Sequence, residues 1–158
     1  MQPAVSAATD SFPSSPARHR VLFAVIAVVS LAGVVDSAIA LQRHYAKSAT
    51  EFCDFNQKFS CDIVNRSEQS TLAGIPVAAI GVAGYAVLFV LSTFWKARTD
   101  TPIRLLAASL LGLAFALYLT YVEAYVLNTW CVLCLTSLAL IFLISVLAIV
   151  LKVRNAKA

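Results

Sequence analysis

Residues 128–151 read NTWCVLCLTSLALIFLISVLAIVL. From Trp130 onward the run is apolar apart from a few hydroxyls. It has the length of a membrane-spanning helix, which needs about 20 mainly apolar residues. Two thiols, Cys131 and Cys134, stand at its mouth with two residues between them. A reactive thiol usually has polar surroundings, whereas this pair borders a segment built for lipid.

Three more segments of the same kind precede it, at residues 21–41, 75–95 and 103–127. The chain has 158 residues, 60% hydrophobic and 13% charged, with mean hydropathy +0.83; a soluble domain carries about 25% charged residues. The expected fold is therefore all-α, a four-helix transmembrane bundle, with an extracytoplasmic loop and a short surface helix (residues 62–71) capping it between helices one and two. The formal charge of +4 flanks the apolar segments, so it reads as a topology signal and not as a nucleic-acid footprint. The organisation expected is a disordered tail at 1–19, one membrane domain at 20–152 and a short tail at 153–158. Ala38-Ile39-Ala40 resembles a signal-peptidase site, but the preceding apolar stretch is long for a signal peptide and reads as a true helix.

Lys and Arg set the orientation. With the N-terminus in the cytoplasm, Arg18, Arg20, Lys96, Arg98, Arg104, Lys152, Arg154 and Lys157 lie inside, and Arg43, Lys47, Lys58 and Arg66 outside: eight and four of the twelve. The positive-inside rule then places both termini in the cytoplasm and residues 42–74 outside. All four cysteines fall on that outer side, Cys53 and Cys61 in the loop and Cys131 and Cys134 at the outer end of the last helix. Disulfides persist in such a compartment.

Two structural staples, a zinc site or redox exchange could use four such thiols. Zinc ligands usually come in closely spaced pairs, whereas seven residues separate Cys53 from Cys61, and His19 and His44 lie elsewhere. A bond between Cys131 and Cys134 would close a tiny loop and restrain little. A helix N-terminus favours thiolate, the attacking species in disulfide exchange; Asn128 or Thr129 is the expected cap. Electrons crossing two disulfides into a membrane need a lipid-soluble two-electron carrier, for which a quinone between the helices is the natural candidate.

CDFNQKFSC (53–61), Ser67 six residues later, GIPVAAIGVAGY (74–85) and CVLC (131–134) follow one another in this order. With them the chain resembles the vitamin K epoxide reductase family, including its bacterial thiol-oxidising homologues, from residue 22 to about residue 151. The resemblance implies a four-helix bundle around a quinone of the ubiquinone, menaquinone or vitamin K type. It implies that Cys134 faces the quinone, that Cys131 exchanges with Cys61, and that Cys53 trades with an external thioredoxin-fold dithiol protein. Ser67 would lie by the loop pair and the quinone pocket. Vertebrate members have an asparagine and a tyrosine where Val77 and Leu138 stand here, so epoxide reduction is not implied. No thioredoxin-like segment follows helix four, so the partner is expected in trans, and the tail KVRNAKA (152–158) fits a bacterial cytoplasmic membrane.

Carboxylates inside a span are costly and mark functional sites by default. Glu123 is a candidate for relaying protons to the quinone, against a structural acid near the interface; Asp36 reads as a structural partner. Tyr118, Tyr121 and Tyr125 form one helical stripe, either an interfacial belt or, through Tyr121, a wall of the quinone pocket. Phe52, Phe55 and Phe59 would seat the loop on the bundle. Ala79, Gly81, Ala83 and Gly84 offer a small-residue packing face, and Gly74 and Pro76 mark a helix stop and a fresh start.

Overall fold

The computed structural model describes residues 16–45, 58–95 and 100–156. Four long helices make the body: α1 (Pro16–Tyr45), α3 (Val77–Thr93), α4 (Thr101–Val122) and α5 (Val132–Ala156), with the short α2 (Cys61–Asn65) between the first two. Helix α1 packs on α3 and α5, and α4 packs on α5 and α3, so the four close into a ring. Among the described residues, three helical segments are long and apolar enough to cross a membrane: His19–Tyr45, Thr101–Leu127 and Val132–Ala156. The fourth, α3, is apolar but has 17 residues, about 25 Å at 1.5 Å per residue. Large apolar side chains such as Val28, Ile103 and Phe142 point outward, as a lipid-facing surface requires.

Helix α1 begins at Pro16, so residues expected in the tail at 16–19 are helical. Proline suits a helix start because its missing N–H would be unpaired there. Residues 1–15 of the expected tail lie outside the described residues, as do Cys53, Phe52, Phe55, Lys47, Lys96, Arg98 and Lys157.

The core runs along the bundle axis through Ile26, Leu88, Leu105, Ile144 and Leu151. Helices α1 and α3 come closest where small residues remove the obstacle. A Cβ at Gly33 would fall 2.3 Å from Tyr85 Cδ1, and one at Gly81 would fall 2.8 Å from Ser37 Oγ. Of the expected small-residue face, Gly81 is thus a true contact, while a Cβ at Gly84 would meet nothing within 4 Å.

The expected surface helix at 62–71 is two pieces. Helix α2 stops at Asn65, and a 3₁₀ turn, Glu68–Ser70, follows after Ser67. Local side chains divert the backbone there: Ser67 Oγ donates to the Val64 carbonyl (2.8 Å) and Ser70 Oγ to the Ser67 carbonyl (2.6 Å). The chain then makes a two-residue hairpin, β1 (Thr71–Leu72) against β2 (Ile75–Pro76). Ala73 (φ 53°) and Gly74 (φ 81°) both take positive φ, as a tight primed turn demands. Gly74 is therefore a hairpin residue and not a helix stop. Helix α3 starts one residue beyond Pro76, at Val77, and Ile75 belongs to the strand.

Candidate active site

The site is assembled at one end of the bundle from the α4–α5 connection. After Val122 the α4 helix widens into a π-helical turn, Glu123–Leu127, a distortion frequent at functional sites. It ends at Asn128, left-handed at φ 49°, a conformation asparagine tolerates better than most residues. The Glu123 carbonyl accepts from the N–H groups of Asn128 and Thr129. Its carboxylate Oε2 accepts from the Cys131 N–H at 3.1 Å. One residue thus collects three donors from the turn that presents Cys131.

These bonds move the expected cap. Helix α5 begins at Val132, and the Cys131 carbonyl accepts the first helical bond, from Leu135 N–H (3.0 Å). Cys131, not Asn128 or Thr129, is the N-cap residue, because Glu123 has already taken the amides before it. Cys134 then sits in the first turn, three residues on. The Cys134 thiol, together with the Cys134 and Leu133 backbone amides, pulls the Cys131 thiol below its ordinary range. Burial and the nearby Glu123 charge oppose this.

The loop docks on the same turn. Phe59 forms an isolated parallel bridge with Trp130: Ser60 N–H donates to the Trp130 carbonyl (3.2 Å) and Trp130 N–H to the Lys58 carbonyl (2.8 Å). Ser60 caps α2 by accepting from Ile63 N–H (3.3 Å). The bridge sets Cys61 and Cys131 side by side, both fully buried, in a small cluster with Val64, Leu127 and Leu133. Cys61 is disulfide-bonded, and Cys131 and Cys134 are free thiols. Asn65, buried at the end of α2, donates its side-chain amide to the Cys61 carbonyl (2.9 Å) and the Cys131 sulfur (3.8 Å). Phe59 is half-exposed beside the bridge.

Below this cluster lies a cavity of about 640 Å³ with largely apolar walls from α1, α3, α4 and α5. Cys134 opens onto it; Cys131 and Cys61 do not. Glu123, Ser67 and His44 line it near the loop, and Asp36, Tyr85 and Ser137 line it deeper along the bundle. A Glu123 oxygen and the two free sulfurs all lie within 4.8 Å of one another. Glu123 is 2% exposed, and its Oε1 has no hydrogen-bond partner among the described residues. The Tyr85 hydroxyl donates to the Ser137 carbonyl at 2.7 Å and lies 3.0 Å from Ser137 Oγ, bracing α3 against α5.

Cys61, Cys131, Cys134, Ser67 and Glu123 are therefore brought together. Tyr121 is not: it is 58% exposed, stacks on Tyr125 with ring centroids 4.9 Å apart, and is absent from the cavity wall. The 118/121/125 stripe points outward because α4 turns a different face, carrying Ala108, Gly112, Phe115, Ala116 and Leu119, toward the cavity. Val77 lines the cavity and Leu138 does not. Asp36, expected as a structural partner, is 8% exposed and lines the cavity.

Two residues carried no assignment in the sequence. His44 lines the cavity and donates from Nδ1 to the Asn65 carbonyl; it follows Ala40 by four residues and Asp36 by eight, which places all three on one helical stripe. Asn65 stands four residues after Cys61, one turn along α2. Periodicity could have found both once the helix bounds were known.

The sequence profile of the vitamin K epoxide reductase family matches residues 24–149. No curated protein matches the chain.

Proposed function

The chain belongs to the vitamin K epoxide reductase family, an oxidoreductase family of membrane proteins linked to quinone and vitamin K substrates, and on that premise we propose that it is a quinone-dependent thiol–disulfide oxidoreductase. Electrons enter from an external thioredoxin-fold dithiol protein at Cys53 and Cys61. They pass to Cys131 and Cys134 and leave to a membrane quinone, so that the net product is a protein disulfide. One observation carries the reading: three sulfurs are ordered toward a cavity, Cys61 against Cys131, Cys131 beside Cys134, and Cys134 alone on the cavity wall.

The steps use this chain's own groups. Cys61 thiolate attacks the Cys131 sulfur of a Cys131–Cys134 disulfide, and Cys134 leaves as thiolate. Cys131, capped by α5 amides, is the easier of the pair to hold as thiolate during the reverse half of the exchange. The quinone accepts two electrons and two protons when bound. Apolar walls and about 640 Å³ suit its ring, and the buried Glu123 carboxylate beside Cys134 suits a proton carrier. Ser67 and His44 border the same end.

In this reading α3 is the fourth span, its 17 helical residues extended by β2 and Phe94–Trp95 to reach both interfaces. Both termini face the cytoplasm and the docked loop faces outward, in a bacterial cytoplasmic membrane. The test is purified protein with a defined dithiol protein and a soluble quinone, followed by quinone absorbance. Cys61→Ala abolishes turnover with the dithiol protein; unchanged turnover in Cys61→Ala refutes the relay.

A further inference from the structure

We infer that Asn65 is the positioning residue for exchange between the two cysteine pairs, its side-chain amide holding the Cys131 sulfur in line with Cys61. The inference deepens the relay proposed above and rests on it. Asn65 is the last residue of α2, one turn after Cys61, so its side chain returns over the face that carries Cys61. It is 7% exposed. The amide has two N–H donors. One is spent on the Cys61 carbonyl at 2.9 Å, and the other faces the Cys131 sulfur at 3.8 Å. From behind, the Asn65 carbonyl accepts from His44 of α1, which ties the end of α2 to the bundle. Asn65 is thus bonded at once to the element carrying Cys61, to the sulfur of Cys131 and to helix α1.

The exchange has two steps. Cys61 thiolate attacks the Cys131–Cys134 bond, forming Cys61–Cys131 and releasing Cys134 thiolate. Cys53 thiolate then attacks Cys61, forming Cys53–Cys61 and releasing Cys131 thiolate. Two electrons move from the loop pair to the inner pair, and the protons shed by the loop thiols are matched by those the inner thiolates take up. In the second step the leaving sulfur is Cys131, and negative charge develops on the atom that Asn65 faces. A hydrogen bond to a charged acceptor is of the stronger class, so its effect is larger in the transition state than on the neutral thiol. Among the described residues, the titratable groups facing Cys131 are Cys134 from α5, Glu123 from the end of α4 and, once the loop pair is reduced, Cys61 of α2; Asn65 contributes an amide and no charge.

Two variants separate positioning from simple structure. Asn65→Ala removes both donations. Asn65→Ser keeps a hydroxyl able to bond back to the Cys61 carbonyl four residues earlier, but is too short to reach Cys131. The first readout is quenched-flow thiol trapping of electron transfer from the loop pair, reduced by dithiothreitol, to the inner disulfide in the full chain. The second is thiolate absorbance of the inner pair against pH, in a Cys53→Ala/Cys61→Ala background. Both Asn65 variants are expected to slow exchange about tenfold and to shift the first thiolate titration to higher pH. Wild-type rate and titration in Asn65→Ser, with the defect confined to Asn65→Ala, make the residue a structural bond only and overturn the inference. Wild-type behaviour in both variants overturns it too. If the wild-type chain itself shows no transfer between the pairs, the relay fails, and that result is distinct from either.

Discussion

Gly33 of α1 lies tight against Tyr85 of α3, and Gly33→Ala is the most direct test of that joint. A Cβ there falls 2.3, 2.4 and 2.6 Å from Tyr85 Cδ1, Cε1 and Cγ. Carbon atoms rest at about 3.5–4.0 Å, so the ring must retreat by more than about 1 Å. Its hydroxyl is tied to the Ser137 carbonyl at 2.7 Å. The same retreat stretches that bond beyond the usual range of about 3.0 Å for O–H donors. Overpacking costs about 1–3 kcal/mol, and the lost bond about 0.5–1.5 kcal/mol. Alanine's better helix propensity returns at most about 1 kcal/mol. The net is a loss of about 2 kcal/mol, which for a chain of this length corresponds to a fall in Tm of roughly 4–8 °C. Tyr85 also lines the deep part of the cavity, so KM for quinone rises together with the loss of stability. The assay is a circular-dichroism melt in detergent alongside quinone kinetics. Gly84→Ala is the control, since its Cβ meets nothing within 4 Å; it melts no lower than wild type. Tyr85→Leu in the Gly33→Ala background recovers part of the loss. A Gly33→Ala protein that melts and turns over like wild type refutes the contact.

Glu123→Ala strands the Cys131 N–H in a buried site and costs about 1–3 kcal/mol, seen in the same melt. Glu123→Gln keeps an acceptor for that N–H and loses less, while slowing quinone reduction if the carboxylate carries the proton. Tyr121→Ala and Tyr125→Ala leave KM for quinone unchanged, because both rings lie outside the cavity; a several-fold rise contradicts the packing of α4. The lowered Cys131 thiol predicts a break in the pH dependence of the inner pair's reduction potential. Below the first thiol pKa two protons accompany two electrons and the potential falls by about 59 mV per pH unit. Above it one proton does, and the slope drops to about 30 mV per pH unit. Since hydrogen bonds to Cys131 depress that pKa, the break comes on the acid side of the ordinary thiol range. Asn65→Ala moves it toward higher pH, and redox titration against glutathione over pH 6–9 reads the shift.

Much of the fold was legible in apolar run length, because a lipid-spanning segment is dictated by local composition. Run length alone separated α4 from α5 and predicted the hairpin that joins them. The places where the reading slipped are those where side chains bond to their own backbone. Ser67 and Ser70 break the expected surface helix, and Glu123 gathers three amides and pushes the start of α5 past Cys131. Such bonds depend on rotamers and on π-turn geometry, to which hydrophobic periodicity is blind.

The sequence by itself determined that Cys131 and Cys134 would share the mouth of a greasy helix, three residues apart, since that follows from spacing and helix pitch. It also singled out Ser67 and Glu123, through the family motif and through the cost of a carboxylate in a span. Only the tertiary structure decided where each of the described thiols lies. Pairing of Phe59 with Trp130 brings Cys61 to Cys131, a contact across about 70 residues of chain that no local pattern encodes. The ring of four helices leaves Cys134 alone on the cavity wall, turns Tyr121 outward, and delivers His44 and Asn65 to the site. Which face of a helix meets a cavity is a property of its neighbours, and the neighbours are chosen by packing.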